Sequence, residues 1–389
     1  MEFSHAFFDA GIDRVGTDCE KWDDRAVLPA DAVPMWVADM DFRCAPAISE
    51  ALARRAEHAC YGYTMVQDGD FGAMLGFLER RHGLALRRED CLMLPCVVTA
   101  LKLCVRSFTA PGDRVAILTP VYGPFTFSIE QNSRVAERIA LRRDRDLRYQ
   151  IDFEALEAAL RSGVRLLMLC SPHNPVGRCW TEEELRRLLA LCRQYGATLC
   201  ADEIHAEFVF APHKFVPILS LAEEGDSVLS LMSASKTFNI AGLQQAYALS
   251  RNHGILEKLR KEAEAAGVVS GNIFALAGTR AAWTAGDAWL DGLMAYLADN
   301  VALLGRLLKE HLPFAQMSPV EATYLAWVDL SAYEASCARI EEKCRRAGVA
   351  LTSGTFFGPE GEGFMRVNFG CPAAQLTEGI KRLKAAMRQ

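Results

Sequence analysis

The sequence predicts an α/β fold, and three observations carry that expectation. Short, continuous apolar runs alternate with longer amphipathic stretches between residues 46 and 287. The runs lack the polar–apolar alternation of a half-exposed strand, as expected for strands covered on both faces of a parallel sheet. Beyond residue 287 the pattern changes to a long helix followed by more alternating strands, which suits a smaller α+β domain.

The elements follow in order. "PCVVTALKLCVRSF" (95–108) reads as a tight turn opening a helix. "DRVAILTP" (113–120), behind the turn "APGD", reads as a buried strand, as do "VRLLMLC" (164–170), "ATLCADE" (197–203) and "SVLSLMSAS" (227–235). "TEEELRRLLALCRQYG" (181–196) is a helix with a possible capping box from Thr181 and Glu184, closed by Gly196. "AWLDGLMAYLADNVALLGRLLKEHLP" (288–313) predicts one long helix, "TYLAWVDL" (323–330) a strand, 334–347 a helix, "GFMRVNFG" (363–370) a strand, and a last helix ends the chain. The mixed charge run "LRRDRDLR" (141–148) reads as a solvated loop or strand edge. The expected division is a large domain at 46–287 and a small one from 1–45 with 288–389.

Composition narrows the function classes. The 389 residues are 51% hydrophobic and 24% charged, as in ordinary globular proteins. A net charge of −6 without a basic stripe argues against nucleic acid. "MEFSHAFFDAGIDRVGTDCEKWDD" carries acids too early for a signal peptide, and no apolar run nears the about 20 residues that span a bilayer. A cytoplasmic protein without a membrane partner is expected. The thirteen cysteines sit mostly in apolar runs, which suits free thiols in a reducing compartment. Cys91 and Cys96 lack a second pair at zinc spacing, so no metal is expected.

Three apolar runs lead straight into polar residues: "LLMLC" into "SPHNPVGR" (171–178), "TLC" into "ADEIH" (201–205), and "SVLSLM" into "SASK" (233–236). Ligands of open parallel sheets bind outside the carboxyl ends of the strands, so Asn174, Asp202 and Lys236 are expected to converge. Each alone has a plainer reading. Asp202 suits a helix N-cap or a buried ion pair, Asn174 a turn, and Lys236 a lysine with its head group in water. Together they favour a site. Pyridoxal phosphate accounts for the set: it needs a lysine for its aldehyde, an acid beside its ring nitrogen, and donors for its phenolate and phosphate. Ser233 and Ser235 are candidate phosphate donors or simply turn residues, and the helix at 95–108 offers free amides. Tyr122, in "TPVYGPF", is either a stacking ring or a packed loop aromatic.

"SASKTFNIAGLQ", "ADEIH", "SPHNPVGR" and "TPVYGPF" together resemble the fold-type I pyridoxal-phosphate enzymes of the class I/II aminotransferase superfamily. "GTDCEKWD", "PMWVADMDF", "YGYT", "PHNPVGRCW", "TYLAWVDL" and "GFMRVNFGCP" resemble its cystathionine β-lyase (C–S lyase) subgroup. The resemblance runs from about residue 7 to the end. It implies a mostly parallel seven-stranded sheet sandwiched by helices, plus the smaller domain. It implies that Lys236 links to the cofactor's aldehyde, Asp202 partners the pyridine nitrogen, Asn174 donates to the phenolate and Tyr122 stacks. Ser233, with the backbone around Val97 and Val98, would cradle the phosphate. Arg366 would pair bidentately with a substrate α-carboxylate, which a backbone amide at Ala38 would also approach. Tyr63 would reach the phosphate region of another subunit's site, implying a homodimer. His205 stands near the phenolate where the wider superfamily has tyrosine. Cys96 replaces a glycine of the phosphate turn, predicting a looser turn, and Gly123 replaces a second aromatic, predicting a larger substrate pocket.

The implied reaction is α,β-elimination from cystathionine, cysteine or its S-conjugates, with the Lys236 amine removing the α-proton and a β-thiolate leaving. Two rivals share the residues: an aminotransferase, and a regulatory protein of the same fold that contacts a transcription factor. A dehydrogenase is disfavoured because no G-x-G-x-x-G follows an early strand.

Overall fold

The computed structural model describes residues 3–24, 26, 28–29, 31–268 and 271–388. Its main sheet has seven strands: β1 (Cys91–Leu94), β2 (Arg114–Thr119), β3 (Val135–Ala140), β4 (Leu166–Cys170), β5 (Thr198–Asp202), β6 (Val228–Met232) and β7 (Ala246–Leu249). They lie in the order β1-β7-β6-β5-β4-β2-β3. Only β7 runs against its neighbours. Every residue of β4, β5, β6 and β7 is buried, which explains their unbroken apolar sequences. Because β4, β5 and β6 are adjacent and parallel, their carboxyl ends open side by side at one edge of the sheet.

Local signals behave as their chemistry dictates. Glu182–Tyr195 is a helix whose Thr181 hydroxyl accepts from the Glu184 amide while the Glu184 carboxylate accepts from the Thr181 amide. Gly196 closes it in the left-handed region. Asp287–His311 is one continuous helix. Strands β1, β3 and β7 are not evident in the sequence: β1 and β7 span four residues each, and the edge strand β3, "VAERIA", exposes charged side chains.

A second, antiparallel sheet contains β8 (Gln316–Met317), β9 (Leu325–Asp329), β10 (Thr352–Ser353) and β11 (Phe364–Asn368), in the order β8-β9-β11-β10. The N-terminal segment joins this part of the chain, with Val33–Pro34 pairing parallel to Val349–Ala350. Among the described residues no helix is long and apolar enough to cross a membrane.

The charge run at 141–148 is a largely exposed strand edge, as its composition suggests, but it also makes specific ion pairs. Arg142–Arg143 pairs with Tyr149–Gln150 as a small ribbon, and two of its arginines reach acids of the C-terminal region. Arg143 pairs with Asp329 at 2.9 Å, and Arg148 pairs with Glu321. Glu321 also holds the buried Arg178 guanidinium at 2.9 Å and accepts from the Cys179 amide. Arg178 in turn meets Glu184 at 2.8 Å. This cluster fixes the far end of the loop that leaves β4. Removing one member of a buried pair strands its partner's charge. Glu321→Ala should therefore lower stability by about 3–5 kcal/mol, read as an earlier chemical-denaturation midpoint; an unchanged midpoint would contradict the assignment.

Candidate active site

The edge where β4, β5 and β6 end opens onto a cavity of about 220 Å³. Asn174, Asp202, Lys236, Tyr122, His205, Ser235, Val97, Val98 and Ala38 all line it. Asn174, Asp202 and Lys236, 28 and 34 positions apart in the chain, meet because three neighbouring strands point the same way.

Each wall has a local cause. Asp202 is the last residue of β5, and its carboxylate accepts only the Ile204 amide, at 3.2 Å, among described contacts. Burial pushes its pKa up to about 7, against the opposing pull of that amide and of Lys236. Lys236 sits on the short helix Ala234–Thr237 that follows β6. Its ammonium donates to the Ala38 carbonyl at 2.6 Å. Burial is the main cause that lowers the Lys236 pKa; the Arg366 charge acts in the same sense, whereas Asp39, Asp202 and Glu20 oppose it. His205 is buried, and its ring contacts Tyr324 and Phe208 edge-on. Burial, then the Lys236 and Arg366 charges, hold its pKa down at about 3, so the imidazole is neutral. Its Nδ1 has no hydrogen-bond partner.

Arg366 reaches this edge from β11 in the other sheet. It donates to Asn174 Oδ1 at 3.3 Å, to the Trp36 carbonyl at 2.7 Å and to Thr352 Oγ1 at 3.1 Å. Its Nε is buried without a partner, and burial draws its pKa down to about 10. An arginine this deep, with donors left over, is suited to an anion.

Val97 and Val98 open the helix Val97–Phe108, so its free amides face the cavity. Cys96 precedes them with φ −159° and ψ 163°, an extended conformation that any residue adopts. The predicted looser turn is therefore absent: Cys96 caps the helix, its sulfur accepting from the Thr99 amide at 3.4 Å.

Several positions depart from expectation. Ser233 does not line the cavity; its hydroxyl donates to the Gln245 carbonyl at 2.6 Å and accepts from the Ser235 amide. Ser235 is the serine at the wall. At Ala38 the carbonyl, rather than the amide, makes the contact, accepting from Lys236 and from the Tyr324 hydroxyl at 2.9 Å. Tyr63, expected at another subunit's site, is no departure: it is fully exposed and lies outside this chain's own cavity. Gly123 does not enlarge the pocket, because a β-carbon there would lie 2.9 Å from Phe356. Sequence reasoning also missed Cys170, Ile204, Ala241 and Gln244 at the wall. Gln244 stands in the same quoted stretch as Lys236, and its left-handed φ of 59° is the kind of turn geometry that a sequence does not announce.

An acid whose native pKa lies above its unfolded value binds more protons when folded, so stability falls as pH rises between the two values. From an ordinary 3.8 to about 7, Asp202 should weaken the protein progressively across that window. Asp202→Asn, in protein stripped of small molecules, should match wild type near pH 4 and exceed its stability by about 4 kcal/mol near pH 7. Glu203, also raised to about 7 mainly by burial, is common to both proteins, and Asp202 is the smallest of the causes that act on it. Denaturant titrations across this range check it, and a difference independent of pH would refute it.

With this geometry in hand, the likeness to known proteins is informative. Residues 37–383 match the family model for aminotransferase class I and II. The cystathionine beta-lyase PatB of Bacillus subtilis is 41% identical over 98% of this chain and 99% of its own length. Protein MalY of Escherichia coli is 33% identical over 98% of each. The PLP-bound C-S lyase from Staphylococcus hominis superposes with a TM-score of 0.91 at 30% identity, covering 98% of this chain and 99% of that one. A likeness that covers nearly the whole chain, both sheets included, leaves one conclusion: the chain belongs to the class I and II aminotransferase family.

Proposed function

We propose that this protein is a pyridoxal-phosphate-dependent carbon–sulfur β-lyase acting on cystathionine- or cysteine-type amino acids. The observation that carries the reading is the cavity where Lys236, Asp202 and Asn174 meet beside Arg366. The donor set fits the cofactor. A carboxyl that burial holds near 7 is stabilised as an anion by a cationic ring nitrogen, which Asp202 would supply with its partner charge. Asn174 and the partnerless His205 Nδ1 suit a phenolate, and Ser235 with the amides at Val97 and Val98 suits a phosphate. Lys236 would hold the aldehyde and Tyr122 would cover the ring face.

When bound, pyridoxal phosphate supplies an aldehyde that condenses with amines and a ring that accepts the electron pair left by a departing α-proton. The chain's own groups would do the rest. Arg366 would bind and orient the substrate carboxylate, using donors now spent on Asn174 and the Trp36 carbonyl. Lys236, its pKa lowered mainly by burial, would take the α-proton as a neutral amine. The carbon–sulfur bond then breaks with its electron pair going to sulfur. Water completes the balance, giving a thiol, pyruvate and ammonia.

The best-supported assembly is a homodimer. Tyr61, Tyr63 and Met65 are exposed together beside a groove lined by Ala47, Ala51 and Ile273. The partner's Tyr63 would complete the phosphate end of the site. In this reading residues 46–287 act as the cofactor domain, with 1–45 and 288–389 as the domain that brings Arg366.

Four outcomes test this. Wild type should release pyruvate from cystathionine without an added keto acid; strict dependence on a keto acid would favour the aminotransferase. Lys236→Ala should lose turnover and the cofactor's visible band together, and Arg366→Ala should lower kcat/KM about 100-fold. Lys236→Ala and Tyr63→Ala chains, each inactive alone, should recover activity when mixed, since one mixed site has both residues intact; no recovery would sink the shared site.

A further inference from the structure

Gly123 starts the helix Pro124–Glu130 with φ −46° and ψ −40°, a right-handed conformation open to every residue. The backbone does not require glycine there. Phe356 does: its ring Cζ and its carbonyl oxygen both stand 2.9 Å from where a β-carbon would lie. Phe356 belongs to the turn Gly354–Phe357, which leaves β10 and is held on the Tyr122 loop. The Val121 amide donates to the Phe357 carbonyl at 2.9 Å, and the Thr119 hydroxyl donates to Glu360 at 2.9 Å. The turn is closed by Gly354, where a side chain would collide with the Gly361 carbonyl. Phe356 is thus a fixed ring rather than a loose surface residue.

Its surroundings are aromatic. The Phe356 ring lies 6.1 Å from Tyr122, a wall of the cavity, and 6.0 Å from Phe127. Its neighbour Phe357 lies 5.0 Å from the Arg366 guanidinium. Phe356 is 39% exposed and Phe127 43% exposed, so the two rings present an open apolar ledge beside Tyr122 and Arg366. On the reading above, a substrate anchored by its α-carboxylate at Arg366 carries its sulfur substituent within reach of this ledge.

We propose that Phe356, seated in the space that Gly123 leaves, is the specificity-determining residue for the sulfur substituent, and that it favours apolar, ring-bearing thiols over zwitterionic ones. An apolar ring on the ledge leaves water, whereas the distal carboxylate of cystathionine would lose water against ring faces. The proposal deepens the lyase reading and rests on it.

The test measures kcat/KM of the holoenzyme with S-benzyl-L-cysteine, S-methyl-L-cysteine and cystathionine, following pyruvate. Wild type should prefer the benzyl substrate. Phe356→Ala should lower the benzyl-to-methyl ratio about tenfold, while Phe356→Tyr, which keeps the ring, should preserve it. The visible cofactor band and the thermal midpoint of each variant separate misfolding from altered selectivity. An equal change for both substrates, or a wild type that prefers cystathionine, overturns the ledge alone. No pyruvate from any of the three overturns the lyase reading and the ledge with it.

Discussion

One bent segment, residues 36–42, ties the two sheets into a single site through its backbone carbonyls. Trp36 accepts from Arg366, Val37 and Asp39 accept from the Asn368 amide, and Ala38 accepts from both Lys236 and Tyr324. Asn239, three residues past Lys236, accepts from the Met40 amide and donates to the Met40 and Phe42 carbonyls. A cation from each sheet therefore rests on the same short stretch of chain. Without it, the lysine turn and the arginine strand would have no common reference.

That segment is itself anchored by charge. Asp41 is buried with Lys21 at 2.8 Å and Arg14 at 2.9 Å, and it also accepts from Trp22 and Gln375. Burial alone would raise its pKa, but the Lys21 charge and the hydrogen bonds from Lys21, Trp22 and Gln375 outweigh it and the value falls. Asp202 shows the opposite balance: burial with one weak amide partner wins, and its carboxyl rises. The contrast separates a carboxylate satisfied by several partners within the chain from one that burial leaves with a single amide.

Much of the site was legible because strand ends are legible. Continuous apolar runs announce buried parallel strands, and the polar residues after them mark the sheet edge where ligands bind. Asn174, Asp202 and Lys236 needed no more than that. Ser233 and Ser235 could not be told apart, because two hydroxyls two residues apart differ only in which one the Gln245 carbonyl engages. Cys96 looked like a defect because a motif with glycine suggests a special backbone, yet the position is extended. Gly123 looked like added room, and only the approach of Phe356, 233 residues on, filled it.

The sequence by itself determined the fold class, the strands β2, β4, β5 and β6, the capped helix at 181–196 and the residues at the strand ends, since period, burial and capping are local properties of the chain. Tertiary structure alone decided which carbonyl meets Lys236, which serine faces the cavity and what occupies the space at Gly123. Those outcomes depend on contacts between segments far apart in the chain, and no local pattern encodes the distance at which two such segments come to rest.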